Sequence, residues 1–312
     1  MASGSSGRIC TIGNIQIGRG AAALLVALLL TTACKPVSQS WPASGTVASP
    51  RASVTPSPIA VPKHVFVIVL ENTSYQVALR QPYIASLAQD YAVATNYSDL
   101  GEPSLPNYLA MTSGSTWGVQ DDNFHQLPAT GIGNQLTDAG ISWKAYMEGF
   151  TGDCFDSPYP YALKHNPFVY YGGTCPANVV PMTDLTSDLN GDTPQLAWIT
   201  PGLCNDGHDC GVGTADRWLS QVVPQITSSP AWQESGTLFI TWDESSAGDG
   251  RVALLVIAPG VHGELTMPLD HFSLLATVAD RLGVPRLGLA KGATSLTKHL
   301  LAGAARSSSS SG

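Results

Sequence analysis

The sequence predicts an α/β fold, a three-layer sandwich with a mostly parallel central sheet covered by helices on both faces. Two runs, His64–Leu70 (HVFVIVL) and Thr237–Trp242 (TLFITW), are continuous and rich in β-branched and aromatic residues, the pattern of strands buried on both sides. Stretches with one apolar helical face fall between these and the remaining strand runs. Alternating strands and helices build parallel sheets whose functional residues sit at the carboxyl ends of the strands.

The elements follow in order. The first strand run ends in Glu71–Asn72, and Pro82–Ala92 reads as a helix with Ile84, Leu87, Ala88 and Tyr91 on one side. Pro106–Met111 reads as a short proline-primed helix with Ser104 just ahead of it. Ile132–Ala139 gives another helix, followed by an aromatic-rich strand at Ile141–Met147. The aromatics Tyr159, Tyr161, Phe168, Tyr170 and Tyr171 either line a substrate mouth or pack a long insertion, and packing is the expectation. Met182–Leu189 reads as a surface helix, Gln195–Ile199 as a short strand, and Thr214–Ile226 as a helix turning Trp218, Leu219, Val222 and Val223 inward. Gly236 stops the chain before Thr237–Trp242, which runs straight into Asp243–Glu244. Arg251–Ala258 is a further strand, and Phe272–Leu282 a helix with Leu275, Ala276, Ala279 and Leu282 along its stripe.

Around this domain the composition changes. Ala21–Ala33 is an uncharged apolar run, shorter than the ~20 residues of a comfortable membrane span, so residues 1–34 read as an export leader. Cys34 follows Thr31–Thr32–Ala33, similar to a lipoprotein cleavage box. A lipid anchor at Cys34 is the expectation, with an ordinary signal peptide or an uncleaved anchor as alternatives, and all three place the domain outside the cytoplasm. Residues 35–62 are a Pro/Ser/Thr-rich tether, the folded domain spans 63–301, and 302–312 form a Ser/Gly tail. Setting aside Cys10 and Cys34, four cysteines remain. The economical pairing is Cys154 with Cys175 and Cys204 with Cys210, one of three possible, and a zinc cluster is the weaker rival. A net charge of -8 and no Lys/Arg cluster argue against a nucleic-acid polymer as partner, while small phosphorylated molecules remain open if a cation supplies local positive charge.

The chemistry concentrates at strand ends and helix starts. A hydroxyl at Ser104, beside the free N–H groups of a helix start, is a candidate nucleophile toward phosphorus; the alternative is a simple N-cap. Glu71–Asn72 and Asp243–Glu244 follow the two strongest strands. With Ser104 they would make an oxygen-rich site for a divalent metal ion that lowers the serine pKa and neutralises phosphoryl oxygens. The polar loop Asn205–Asp206–Gly207–His208–Asp209–Cys210 offers His208 as acid or phosphoryl stabiliser, with Asp206 or Asp209 orienting it or binding metal. His165, within Lys164–His165–Asn166–Pro167–Phe168, is the second choice of histidine, and His271 is either a helix-start residue or a site residue.

Four segments in this order, Val69–Leu70–Glu71–Asn72–Thr73–Ser74–Tyr75, Pro103–Ser104–Leu105–Pro106–Asn107–Tyr108–Leu109–Ala110, the Asn205–Cys210 loop and Ile240–Thr241–Trp242–Asp243–Glu244, resemble the bacterial phosphoesterase family of acid phosphatases and phospholipases C. The likeness extends over Lys63 to Leu301. It implies an alkaline-phosphatase-like fold, metal binding by Glu71, Asn72, Ser104, Asp243 and Glu244, a nucleophilic Ser104, and active-site placement of His165 and His208 with Asp209 near them. Two departures stand out: Glu102 where a histidine commonly precedes the Pro-Ser pair, and Gly250 where a polar residue, often asparagine, is usual. A carboxylate at Glu102 would either bind a cation or repel a phosphate dianion. The implied activity is phosphomonoester hydrolysis through a phosphoserine, on a small phosphorylated substrate or phospholipid headgroup. A phospholipase C or other phosphodiesterase is the alternative, and a non-catalytic envelope binding lipoprotein is the reading from another class.

Overall fold

A computed structural model describes residues 64–302. The expected leader, lipid anchor at Cys34 and tether fall outside the described residues, as does the expected tail apart from Ala302. Among the described residues no helix is long and apolar enough to cross a membrane.

In chain order the elements are β1 (Val65–Leu70), α1 (Tyr75–Ala78), α2 (Pro82–Asp90), β2 (Ala92–Ala94), β3 (Tyr97–Ser98), α3 (Ser104–Ser113), α4 (Ile132–Asp138) and β4 (Trp143–Met147). Then come β5 (Val179–Pro181), α5 (Asp184–Leu189), β6 (Leu196–Thr200), α6 (Val212–Thr227), α7 (Pro230–Ser235), β7 (Thr237–Trp242), β8 (Leu254–Ile257), β9 (Gly263–Leu265), β10 (Leu269–Asp270) and α8 (His271–Leu282). The main sheet has the order β5-β4-β6-β1-β7-β8-β2-β9. Its strands run parallel except β8, which is antiparallel to both β7 and β2. β3 and β10 form a separate two-stranded sheet.

Every residue of β1 and of β7 is buried, which is what their unbroken apolar composition demands. Fully burying each such side chain contributes about 1.5–3 kcal/mol, so the centre of the sheet is the most strongly specified part of the fold. Helices α2, α5, α6 and α7 pack in one group and α3, α4 and α8 in another, giving the two outer layers. α6 turns Trp218, Leu219, Val222, Val223 and Ile226 inward, and α8 buries Leu275, Ala276, Ala279 and Leu282, as their periodicity requires.

α3 begins two residues earlier than the proline signal suggests and is buried along its whole length. It ends at Gly114, in the left-handed region with φ +71°, where a Cβ would stand 2.3 Å from the Leu287 carbonyl oxygen, so only glycine closes the helix there. The helix expected over Pro82–Ala92 stops at Asp90 because Ala92 already belongs to β2. The strand expected over Arg251–Ala258 is shortened to β8. Tyr161, Phe168, Tyr170 and Tyr171 pack inside, whereas Tyr159 stands exposed. Both disulfides form as the economical pairing has them, Cys154–Cys175 and Cys204–Cys210.

Candidate active site

The pairing of β1 with β7 builds the site. Their register sets Leu70 opposite Trp242, so the next residues, Glu71 and Asp243, leave the sheet side by side. Three backbone bonds fix the exit: the Asp243 N–H donates to the Leu70 carbonyl (3.0 Å), the Thr73 N–H to the Glu244 carbonyl (3.1 Å) and the Glu71 N–H to the Asp206 carbonyl (3.0 Å). Asn72 adopts φ +49°, a left-handed conformation asparagine tolerates better than most residues, and its N–H donates to Asp243 Oδ1 at 3.2 Å. His271, the first residue of α8, donates from Nε2 to the Asp243 carbonyl (2.6 Å) and accepts the Tyr97 hydroxyl at Nδ1 (2.9 Å). Burial lowers its pKa, so it acts as a neutral strut behind Asp243 and does not reach the carboxylates.

Glu71, Asp243 and Glu244 are all buried, and each offers a carboxylate oxygen within 4.8 Å of the others. Two bare charges at that separation repel by about 3–4 kcal/mol at an effective dielectric of ~20. The protein answers unevenly. Burial works to raise Glu71, but the His165 imidazolium beside it pulls that carboxyl down to about 2. Burial, then the Glu71 and Glu244 charges, push Asp243 well above the ordinary carboxyl range. Burial, then the charges of Glu71 and Glu102, raise Glu244 to about 8. Asp243 Oδ2 is buried without a hydrogen-bond partner. An orphaned acidic oxygen among three converging carboxyls fits a divalent cation, which would supply the missing positive charge and take hard oxygen ligands.

Ser104 sits at the first position of α3, after Pro103 as the N-cap, and its side chain makes no capping bond. Its hydroxyl points instead to Glu71 Oε2 (3.3 Å) and Glu244 Oε1 (3.5 Å), which removes the N-cap alternative. The Lys164 ammonium lies 3.3 Å from the same Oγ. Asn107, one turn into α3, accepts the Leu100 N–H and donates to the carbonyls of Gly101 and Pro103, folding the 100–103 loop against the helix start. His165 is buried, with Nε2 2.9 Å from Glu71 Oε1 and Nδ1 3.4 Å from Asp206 Oδ2, and its ring stacks on Tyr108. Burial is the largest single influence and opposes protonation of His165, but the charges and hydrogen bonds of Glu71 and Asp206 together outweigh it and raise the imidazole to about 9.

A family model described as the phosphoesterase family matches residues 78–285. The chain belongs to the phosphoesterase family. This phosphoesterase is 32% identical over 250 residues to a probable acid phosphatase of Kluyveromyces lactis, covering 72% of this chain and 59% of that protein, so it spans about three fifths of that relative's length. It is 28% identical over 270 residues to a phosphatidylinositol-3-phosphatase of Mycobacterium tuberculosis, covering 82% of this chain and 88% of the relative. The relatives are thus fungal as well as bacterial, and the family is wider than the bacterial acid phosphatases that the motifs bring to mind. An alkaline phosphatase superfamily protein of Vibrio parahaemolyticus shares the fold, with a TM-score of 0.56 at 11% identity over 76% of this chain and 70% of that one.

Of the residues singled out in the sequence, the structure of this phosphoesterase brings Glu71, Asp243, Glu244, Ser104 and His165 together, and Asn72 through its backbone. His208 lies at the rim, its ring 6.0 Å from that of His165, bonded at Nδ1 to Asp209 at 2.7 Å. Asp209 itself is exposed and stands apart from the carboxylate cluster. The buried carboxylate of that loop is Asp206, and the turn at Gly207, φ +102°, separates the inward acid from the outward one. Glu102 is exposed, and its charge adds to the elevation of Glu244. Gly250 has φ +65°, a conformation open to glycine and asparagine alike, and its carbonyl accepts the Asp99 N–H. Sequence reasoning assigned no role to Lys164, Asp122 or Asn107. A signal for the first was present: Lys164 is the only Lys or Arg between Lys144 and Arg217.

Proposed function

We propose that this chain is an extracytoplasmic phosphomonoesterase of the acid-phosphatase type, with Ser104 as nucleophile and a phosphoserine intermediate. The observation that carries the reading is the Ser104 Oγ at the start of α3, facing Glu71 and Glu244 instead of capping its helix. The relatives named as phosphatases support it, as do the two disulfides for an oxidising compartment.

Glu71, Asn72, Asp243, Glu244 and Ser104 would hold a divalent cation, which when bound supplies Lewis-acid stabilisation of the serine oxygen and of the phosphoryl charge. The chain's own part is positioning. Phosphoryl oxygens lie against the start of α3, where the helix favours anions; the Leu105 N–H is already held by Asp122 and Pro106 has none, which leaves the Ser104 N–H as the donor. The Ser104 proton leaves to solvent and the Oγ–P bond forms as the P–O bond to the alcohol breaks. The departing alcohol oxygen takes a proton from solvent or from His208 at the rim, which Asp209 orients. Water then attacks phosphorus from the vacated side, the Oγ–P bond breaks, and orthophosphate leaves with Ser104 restored. His165, clamped between Glu71 and Asp206, keeps Glu71 ionised and aimed.

Ser104→Ala should abolish hydrolysis of 4-nitrophenyl phosphate while leaving cooperative unfolding intact, and acid-quenched wild type should carry phosphate on Ser104. Full activity in the purified variant would remove Ser104 from this role. The likeness to the mycobacterial phosphatidylinositol-3-phosphatase favours a second reading, a lipid-borne phosphomonoester. Parallel assays on 4-nitrophenyl phosphate, phosphatidylinositol 3-phosphate and phosphatidylcholine separate small monoester, lipid monoester and phospholipase C activities.

A further inference from the structure

The residue that the phosphoesterase reading leaves over is Lys164. It sits in the 3-10 turn Leu163–His165, immediately before the buried His165, so its backbone is anchored by the side chain most firmly held in the site. Its ammonium, half-buried, lies 3.3 Å from Ser104 Oγ and 3.2 Å from Asp122 Oδ2. Asp122 is itself tied to the nucleophile's helix, because its other oxygen accepts the Leu105 N–H at 3.0 Å. Ser104, Lys164, Asp122 and the first turn of α3 therefore close a ring of contacts. A surface ion pair would have no reason to meet both the hydroxyl and the N–H of consecutive residues. Four other cations of the domain are committed elsewhere: Lys144 to Asp188, Arg251 over the Tyr75 ring, Arg281 to Ser235 and Thr237, and Arg286 to Asp280.

We infer that Lys164 is a further catalytic residue of the phosphoryl transfer and that Asp122 is its positioning residue. This inference rests on Ser104 being the nucleophile. The ammonium sits beside Oγ and Asp122, so it faces the oxygen that carries negative charge once its proton has left and on which charge builds again as the Oγ–P bond breaks, and it reaches an equatorial oxygen of a phosphoryl group held there. It forms and breaks no covalent bond and carries no proton away; its contribution is fixed positive charge in a site otherwise dominated by carboxylates. Asp122 prevents the long, flexible side chain from folding onto the Glu71, Asp243 and Glu244 cluster, where it would compete with a cation.

The test uses the purified full chain with 4-nitrophenyl phosphate and added divalent cations. Lys164→Met and Lys164→Gln should each lower kcat/KM about 10²-fold or more, the loss typical of removing one charged or dipolar stabiliser of a developing anion. Lys164→Arg should recover at least a tenth of the wild-type value, and Asp122→Asn should lower kcat about tenfold with little change in KM. Inhibition by vanadate should weaken in parallel with kcat/KM across the Lys164 series. The thermal shift produced by Mn or Zn ions should stay within about threefold in apparent affinity, a separation that a merely structural lysine would not give. If Ser104→Ala is inactive but both neutral Lys164 variants stay within about threefold of wild type, the inference on Lys164 is wrong and the phosphoserine reading stands. If Ser104→Ala is fully active, the reading beneath it fails and Lys164 loses its role with it. Should one neutral variant lose cooperative unfolding, the other decides.

Discussion

Asp243→Asn should have opposite effects on stability with and without a cation. In chelator, burial and then the neighbouring Glu71 and Glu244 charges raise the Asp243 pKa well above the ordinary range and so favour its neutral form. An amide has the shape of that neutral carboxyl. Its oxygen can accept the two N–H groups that now reach Oδ1, from Asn72 (3.2 Å) and Glu244 (2.7 Å). Its NH2 takes the place of Oδ2, which has no hydrogen-bond partner, and faces the Glu71 carboxylate. The substitution should therefore be neutral or stabilising by up to about 1 kcal/mol in chelator, where most changes to a fully buried polar group destabilise. With a cation at 100 times its Kd, wild type gains about 2.7 kcal/mol, which for a domain of this size moves Tm by about 5–10 °C. The variant, lacking one anionic ligand, should lose most of that shift. Differential scanning calorimetry in EDTA and in a Mn or Zn series reads both arms. A loss above about 2 kcal/mol in EDTA would mean that Asp243 is ionised and paired in the metal-free protein. An undiminished cation shift would place the cation elsewhere. Either result refutes the account of the cluster.

The same electrostatics lead to two further outcomes. Glu244, raised to about 8, holds a proton that a cation must displace, and Asp243 is raised in the same direction, so at pH 6.5 binding should release about one proton or more and apparent affinity should tighten as pH rises toward about 8, seen by calorimetry in buffers of different ionisation enthalpy. His165 is raised from 6.5 to about 9 on folding, so its contribution is complete below pH 6.5 and lost as pH rises through 9. The shift corresponds to about 3 kcal/mol, and urea unfolding in chelator should show it as a difference between wild type and His165→Gln that is largest below pH 6.5 and shrinks above pH 9. A pH-independent difference would show that the ring acts by packing alone.

The centre of the fold was legible because β1 and β7 announce themselves by continuous apolar runs, and a polar pair directly after such a run can only sit at the sheet's carboxyl edge. Hence Glu71 and Asp243 were readable from local sequence. Ser104 was readable because proline and the following apolar residues mark a helix start, although the end at Gly114 depends on the approach of Leu287, distant in sequence. β2 and the edge strand β9, three residues each, are too short to show any period; β2 takes its conformation from β8 and β9 on either side, and β9 from β2. Lys164 stood out as a lone cation, but its place beside Ser104 and Asp122 lay beyond reach for another reason. Lys164 meets Ser104 from 60 residues away and Asp122 meets Leu105 from 17, and nothing in either local pattern encodes those meetings. The choice between Asp206 and Asp209 rests on the backbone turn at Gly207, which composition does not reveal.

The arrangement of charges also explains why a site of three buried carboxyls folds at all. If all three were ionised without a counter-charge, each pair would cost about 3–4 kcal/mol in repulsion, comparable to a large fraction of a domain's net stability. His165 resolves one of them permanently. Held between Glu71 and Asp206 and stacked on Tyr108, it carries a positive charge below about pH 9, and it does so from within the core. Glu71 is thereby ionised across the whole physiological range, while burial and neighbouring charge favour the protonated forms of Asp243 and Glu244. The metal-free protein then presents one formed carboxylate and two whose ionisation a cation would promote. Binding is coupled to proton release, and the fold never has to carry the full negative charge alone. On this argument the imidazole's work is to keep one ligand ready, and replacing it should weaken cation affinity even though no ring nitrogen is free to bind the ion: Nε2 already faces Glu71 and Nδ1 already faces Asp206.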